Sequence, residues 1–316
     1  MKLLFIADIH IKLGQKNVPI PWAINRFNMF VEQVSDMQNL ADLVVLGGDI
    51  FDRFPTNMEE IALYFDLVSV FTVPTIIYSG NHEALKRNTT FLTPLYESTK
   101  MVNPNVIVLD DFETYMDIDF IPYNKLKEPY PDSLQSRIVC THVRGEIAPH
   151  VKPEIDLDVF NRWDVVLAGD LHSYDNCQRN ILYPGSPYTT SFHRKPVDTG
   201  AILLDTDTLT HEWLNFDLPQ LLKVTIGVDD PKPATTYHHT IYEIEGNLEE
   251  LSRLQDNELV DKKIVKRIQD TSLILTQEMK IEEELKEYLF YIMQLPEDVI
   301  SSITEEFNNH SDKLEL

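Results

Sequence analysis

The 316 residues carry a formal net charge of −24 with 43% hydrophobic residues, enough apolar material for one large α/β domain and a smaller module, which excludes a wholly disordered chain. The acidic balance is unsuited to a protein that grips nucleic acid unaided, since that task needs a basic face; residues 219–316 contribute −11 and residues 1–218 contribute −13, so neither part is a clamp. Two cysteines, Cys140 and Cys177, with no basic-apolar-small leader and no long apolar run, argue against a disulfide-stabilised secreted protein or a membrane span and for a reducing cytoplasm.

The chain opens on a buried-strand candidate, Lys2 to Ala7, followed by Asp8-Ile9-His10. A helix follows in which Ile24, Phe27, Phe30, Val31, Val34 and Met37 share one face. The strand Leu43 to Leu46 runs into Gly48-Asp49-Ile50-Phe51-Asp52-Arg53, and a helix from Met58 to Phe71 leads to Pro74–Tyr78 and then Gly80-Asn81-His82-Glu83. Further strand candidates lie at Val106–Leu109, at Arg137–Thr141 ahead of His142, and at Asp164–Ala168 ahead of Gly169-Asp170-Leu171-His172. This alternation of short apolar runs with amphipathic stretches is the pattern of an α/β domain, and it places each polar motif at the carboxyl end of a strand, where such sheets bind ligands.

Each motif alone reads more readily as a turn than as a metal site, because Gly, Asp and Asn suit loops. Together they are a set of carboxylate, amide and imidazole ligands of the kind that holds two divalent metals beside a phosphate ester. Cys177 has no second cysteine near it and reads as a structural thiol. His150, His193, His211, His238, His239 and His310 match no ligand motif.

The ordered motifs resemble those of the calcineurin-like metallophosphoesterase superfamily over roughly residues 1–215. Gly48 to Asp52 with Tyr183-Pro184-Gly185-Ser186-Pro187-Tyr188 resembles the SbcD-type nuclease subunits that work with an SbcC-type coiled-coil ATPase. The resemblance implies an α/β metallophosphoesterase β-sandwich flanked by helices, a small α+β capping domain and C-terminal helices: residues 1–218, 219–277 and 278–316. It implies that Asp8, His10 and His172 hold one metal, that Asn81, His142 and Asp170 hold the other, and that Asp49 bridges them. Manganese suits that ligand set best, with magnesium as the alternative. His82 matches the family histidine that faces the phosphate, and Asp52 its orienting partner, although Asp52 also reads as an N-cap for the following helix. Arg53, Tyr188 and Arg194 are candidate substrate contacts, with Tyr183 and Lys195 beside them. A solvated ion pair is the plainer reading for Arg53, and a strand-and-turn segment for residues 183–195.

One position departs from the family pattern, which has Gly-His-x-His where this chain has Gly169-Asp170-Leu171-His172. A carboxylate there is shorter than imidazole and adds negative charge; it is either a second-metal ligand or a structural residue beside an impaired site.

Past Leu218 the strand candidates Leu222–Ile226 and Tyr237–Ile244 precede an amphipathic stretch from Leu248, with a proline-containing linker near 229–235. Ile281, Leu285, Tyr288, Leu289 and Ile292 share one helical face, Leu295-Pro296 interrupts the chain, and Val299, Ile300, Ile303 and Phe307 make a second face. These helices either pack onto their own domain or dock on a partner. No Gly-x-x-x-x-Gly-Lys-Ser/Thr run exists, so ATP dependence would come from another chain. The expectation is a metal-dependent DNA nuclease subunit of an SbcCD-like repair or recombination complex, homodimeric within it, with DNA as substrate and no membrane. A compact phage-type member would work in the host cytoplasm. The alternatives are a small-substrate phosphatase or cyclic-nucleotide phosphodiesterase, and a catalytically impaired structural subunit.

Overall fold

A computed structural model describes residues 1–86, 89–233, 237–254, 259–265 and 280–311. The strands in chain order are β1 (Lys2–Ile6), β2 (Leu43–Gly47), β3 (Thr75–Tyr78), β4 (Ala84–Lys86), β5 (Thr89–Thr90), β6 (Val106–Leu109), β7 (Glu113–Tyr115), β8 (Ile118–Ile121), β9 (Ile138–His142), β10 (Val165–Gly169), β11 (Ile181–Leu182), β12 (Gly200–Asp205), β13 (His211–Asn215), β14 (Leu221–Gly227), β15 (His239–Gly246) and β16 (Val260–Val265). The helices are α1 (Ile20–Met37), α2 (Met58–Ser69), α3 (Tyr96–Val102), α4 (Leu248–Ser252), α5 (Ile281–Glu287) and α6 (Glu297–Ser311), with a π-helical turn at Tyr288–Ile292.

Two sheets form a sandwich. One has the order β13-β12-β1-β2-β3-β6, the other β11-β10-β9-β8-β7. Period-two alternation assigns the faces. Leu3, Phe5, Leu43, Val45, Ile76 and Tyr78 point inward against Phe120, Ile138, Cys140 and Leu167 of the second sheet. Leu4, Ile6, Val44, Leu46 and Ile77 point outward, where Phe27, Phe30 and Val34 of α1 and Leu63, Tyr64 and Leu67 of α2 cover them. The far face of the second sheet is closed by Leu157, Phe160, Trp163 and Tyr183. The central strands β1, β2, β3 and β6 run parallel, as do β8 to β11, so their carboxyl ends share one edge within each sheet.

The start of α2 corrects one expectation. Its N-cap is Asn57, whose side chain accepts from the Glu60 main-chain N–H at 2.8 Å while Glu60 reaches back to the Asn57 N–H at 3.1 Å. That reciprocal box leaves no capping task for Asp52.

The chain divides into two compact units, one of Met1–Ile244 with Gln255–Lys262 and one of Glu245–Leu254 with Lys263–Leu316. The strands β14, β15 and β16 form a three-stranded sheet. The sequence-based boundary between residues 277 and 278 lies outside the described residues, as do Thr235 at the end of the 229–235 linker and the side chain of His310.

Candidate metal centre

Five strand ends build the site. Asp8 and His10 follow β1, Asp49 follows β2, Asn81 and His82 follow β3, His142 closes β9, and Asp170 and His172 follow β10. The first two loops are zipped by main-chain hydrogen bonds, from Asp8 N–H to the Gly48 carbonyl at 3.1 Å and from His10 N–H to the Asp49 carbonyl at 2.8 Å. Asp8, His10, Asp49 and Asp170 all have positive φ, at 57°, 49°, 50° and 101°. Non-glycine residues rarely sit there, and a cluster of such backbones marks a place where the fold holds side chains against local preference. Gly48, at φ 87°, and Gly80 let the loops close up: a Cβ on Gly80 would lie 2.1 Å from Asp49 Oδ1.

The donor atoms converge as a metal centre requires. Three groups have ligand atoms within 4.8 Å of one another: Asp8, His10 and His172; His10, Asp49 and His82; and Asp8, Asp49 and His142. His10 Nε2 faces His172 Nε2 at 3.2 Å, and Asp49 Oδ2 lies 3.5 Å from both His10 Nε2 and His142 Nε2. His142 Nδ1 donates to the Gly47 carbonyl at 2.9 Å, which aims Nε2 into the centre. The Asn81 side-chain oxygen sits 3.0 Å from that Nε2, at a position also 3.2 and 3.0 Å from the Asp49 oxygens. Acceptors gathered on one point are reconciled either by turning the amide so that its NH2 donates to them or by a bound cation. His10 Nδ1 is buried without a hydrogen-bond partner among the described residues. This donor set fits divalent metal.

Titration follows the same geometry. Burial alone would strip the proton from His142, but the Asp49, Asp8 and Asp170 carboxylates around it push its pKa up to about 10. Burial also disfavours ionised Asp49, yet the imidazoles of His142, His10 and His82 hold it well below the usual carboxylate range. Asp8, fully enclosed and beside Asp49, is pushed well up, and burial lowers His10 to about 3.

His82 stands at the rim. Its ring packs edge-on to His10 with centroids 4.7 Å apart, and its main-chain N–H donates to Asp49 Oδ1 at 2.9 Å. Its Nδ1 meets the main-chain carbonyl of Asp52 and not the carboxylate, which lies 2.8 Å from Lys12 Nζ and 3.7 Å from His10 Nδ1. Any orientation that Asp52 gives His82 therefore passes through its backbone.

The expected substrate contacts and Tyr183 beside them are placed differently from one another. Tyr188 is 4% exposed, its ring between the Arg26 guanidinium at 4.4 Å and Phe30, and Tyr183 is fully buried with its hydroxyl donating to the Val143 carbonyl, so neither ring offers a face to a base. Arg194 reaches away to Glu243 at 2.6 Å and Thr225 at 2.8 Å. Arg53 is exposed, with its guanidinium end near Gly14.

Sequence reasoning passed over three residues. Glu83 is buried and accepts from the main-chain N–H groups of Asp49, Phe51 and Gly80 at 3.0, 2.8 and 2.8 Å, fastening two ligand loops together. Thr190 Oγ1 lies 3.1 Å from His172 Nδ1. Arg144 forks onto Asp170, with Nε 3.1 Å from Oδ2 and Nη2 3.3 Å from Oδ1. Only Glu83 had a sequence cue, its place in the Gly80–Glu83 run.

Residues 1–174 match the family model described as calcineurin-like phosphoesterase. The chain belongs to that family. Its metal-binding residues and fold make it a metal-dependent phosphoesterase, a class of hydrolase that uses divalent metals. It is 38% identical over 317 residues, covering 96% of each chain, to a protein of Escherichia phage T5 named "Probable exonuclease subunit 1". It is 25% identical over 253 residues to the 244L protein of Invertebrate iridescent virus 6, named for a phosphoesterase, covering 72% of this chain and 86% of that one. Among solved structures, an archaeal phosphodiesterase aligns with 16% identity and a TM-score of 0.37, covering 68% of this chain and 99% of that one.

Proposed function

We propose that this chain is the nuclease subunit of a DNA repair or recombination complex of the SbcCD type, cleaving phosphodiesters with water activated between two divalent ions. The observation that carries the reading is the convergence of Asp8, His10, Asp49, Asn81, His142 and His172 from five strand ends, in a chain alignable over nearly its whole length with a phage exonuclease subunit. Asp8, His10 and His172 would hold one ion, Asn81 and His142 the other, Asp49 both, and Asp170 would complete the second set. When bound, such ions supply Lewis acidity and a nucleophilic water at neutral pH, and manganese suits the mix of imidazole, amide and carboxylate. Residues 1–218 would form the nuclease domain, residues 219–277 a cap, and residues 278–316 the attachment for a coiled-coil ATPase, in a complex built on two copies of this chain.

The side chains divide the remaining work. Asp49 would set the spacing of the two positions, since its Oδ2 lies 3.5 Å from His10 Nε2 on one side and from His142 Nε2 on the other. His82, with a side chain 36% exposed at the rim, would meet a phosphate oxygen and protonate the leaving group. The Asp52 carbonyl meets its Nδ1, and Nε2 lies 3.8 Å from Asp49 Oδ2 in the centre. The test is manganese-dependent hydrolysis of single- and double-stranded DNA, with and without the ATPase. Turnover of DNA that Asp49→Ala removes supports the reading. Turnover confined to phosphomonoesters or cyclic nucleotides, with no ATPase co-purifying, favours the small-substrate alternative.

A further inference from the structure

The second metal position has an unusual feature that belongs to this chain's own residues. Asp170 is nearly enclosed, with a side chain 6% exposed, and its Oδ1 lies 4.0 Å from His142 Nε2, close enough to share a cation with it. Both of its oxygens are nevertheless claimed by the Arg144 fork at 3.1 and 3.3 Å, and Asp170 belongs to none of the three ligand groups found among the described residues. The backbone is committed to the arrangement. Asp170 sits at φ 101° and its N–H donates to both Asp8 oxygens at 3.1 and 3.2 Å, so the point from which the carboxylate projects is fixed. Arg144 is different: it lies two residues beyond His142, its main-chain N–H is held by Glu154 at 3.1 Å, and its side chain is 45% exposed.

We propose that Arg144 is a positioning residue that competes with the second metal for Asp170. In the metal-free centre the guanidinium neutralises a carboxylate that would otherwise face Asp8 and Asp49. An ion entering beside His142 and Asn81 must share Asp170 with a cation already bidentate upon it, or displace that cation toward solvent, where its exposed stem allows it to go. The pair makes the second position weaker than the first and dependent on the state of one arginine. The inference rests on the dinuclear reading above and concerns affinity, not turnover.

The experiment is manganese binding to the intact metal-free protein, followed by calorimetry and by the electron paramagnetic resonance of coupled Mn2+ pairs. Arg144→Ala is expected to tighten the second site about ten-fold, the scale on which a like charge acts a few ångströms away in a partly screened cleft. Arg144→Gln, which keeps the stem and removes the charge, is expected to do the same, and guards against a folding defect in the alanine variant. In an Asp170→Asn background the effect of Arg144→Ala is expected to shrink below about two-fold, because the fork is gone. Two ions bound with the same affinities before and after loss of Arg144 overturn the proposal while leaving the dinuclear reading intact, and a weaker second site in both arginine variants does the same. An undiminished effect in the Asp170→Asn background also rejects it. A single ion in the wild type and in every variant defeats both.

Discussion

At the scale of single residues, His82 and Asp49 separate chemistry from coordination. His82→Ala is expected to leave manganese content unchanged and to lower turnover by about two to four orders of magnitude, the range for loss of a positioned acid or base. Parallel loss of metal and activity would make His82 a ligand, a role its place beside His10 and Asp49 also permits. Asp49→Ala is expected to abolish both, since that carboxylate touches His10 and His142 alike. His142 supplies a pH dependence. Its folded pKa, about 10, is above the ordinary value of 6.5, so its pairing with Asp49 stabilises the metal-free fold fully below pH 6.5 and is lost as pH rises through about 10. A metal needs the same nitrogen unprotonated, so manganese affinity is expected to rise with pH across the neutral range, with proton release visible as a buffer-dependent heat of binding. Affinity flat between pH 6 and 9 would remove His142 from the ligand set.

At the scale of elements, the sequence was legible where periodicity is strong. The run before each motif is a strand, and the residue following it is where the centre lies, because alternation fixes both faces of a buried strand and leaves its end as the first place a polar side chain can point into a crevice. What stayed hidden depends on contacts between distant segments. Tyr188 read as a candidate substrate contact because an aromatic in a Gly-Pro loop carries no mark of burial; α1, bringing Arg26 and Phe30, closes over it. Asp52 read equally as a cap and as the partner of His82, because Asp favours both places, while Asn57 holds the cap. Arg144 gave no signal at all, for nothing in Val143-Arg144-Gly145 names Asp170 as its partner. Glu83 shows the cost of such hidden ties. Glu83→Gln is expected to destabilise the metal-free protein by about 2–3 kcal/mol, because an amide NH2 would oppose one of three main-chain N–H donors in a dry site. Urea unfolding measures it. A change below about 0.5 kcal/mol would mean the loops hold without the clamp.

At the scale of the whole molecule, charge and exposed apolar surface bear on the same question. A net charge of −24 repels a polyanion, and two of the cations near the centre are already engaged: Lys12 with Asp52 at 2.8 Å and Arg144 with Asp170 at 3.1 Å. Counterion release, the usual source of DNA affinity, is therefore small for this chain alone. Within the second unit, Tyr288, Phe290, Tyr291, Ile292 and Met293 are each at least 40% exposed while Leu289 between them is buried, an apolar display of the kind that marks an interaction surface. If a partner supplies the grip on DNA, the isolated chain is expected to bind duplex weakly, with a log–log salt slope of magnitude about 2 or less, and addition of the coiled-coil ATPase should steepen it. Tyr288→Glu with Ile292→Glu should abolish co-purification with that ATPase and leave hydrolysis of a small chromogenic phosphodiester as it was. A steep salt slope in the isolated chain would show that local basic groups outweigh the global charge, and the case for a borrowed grip would fall with it.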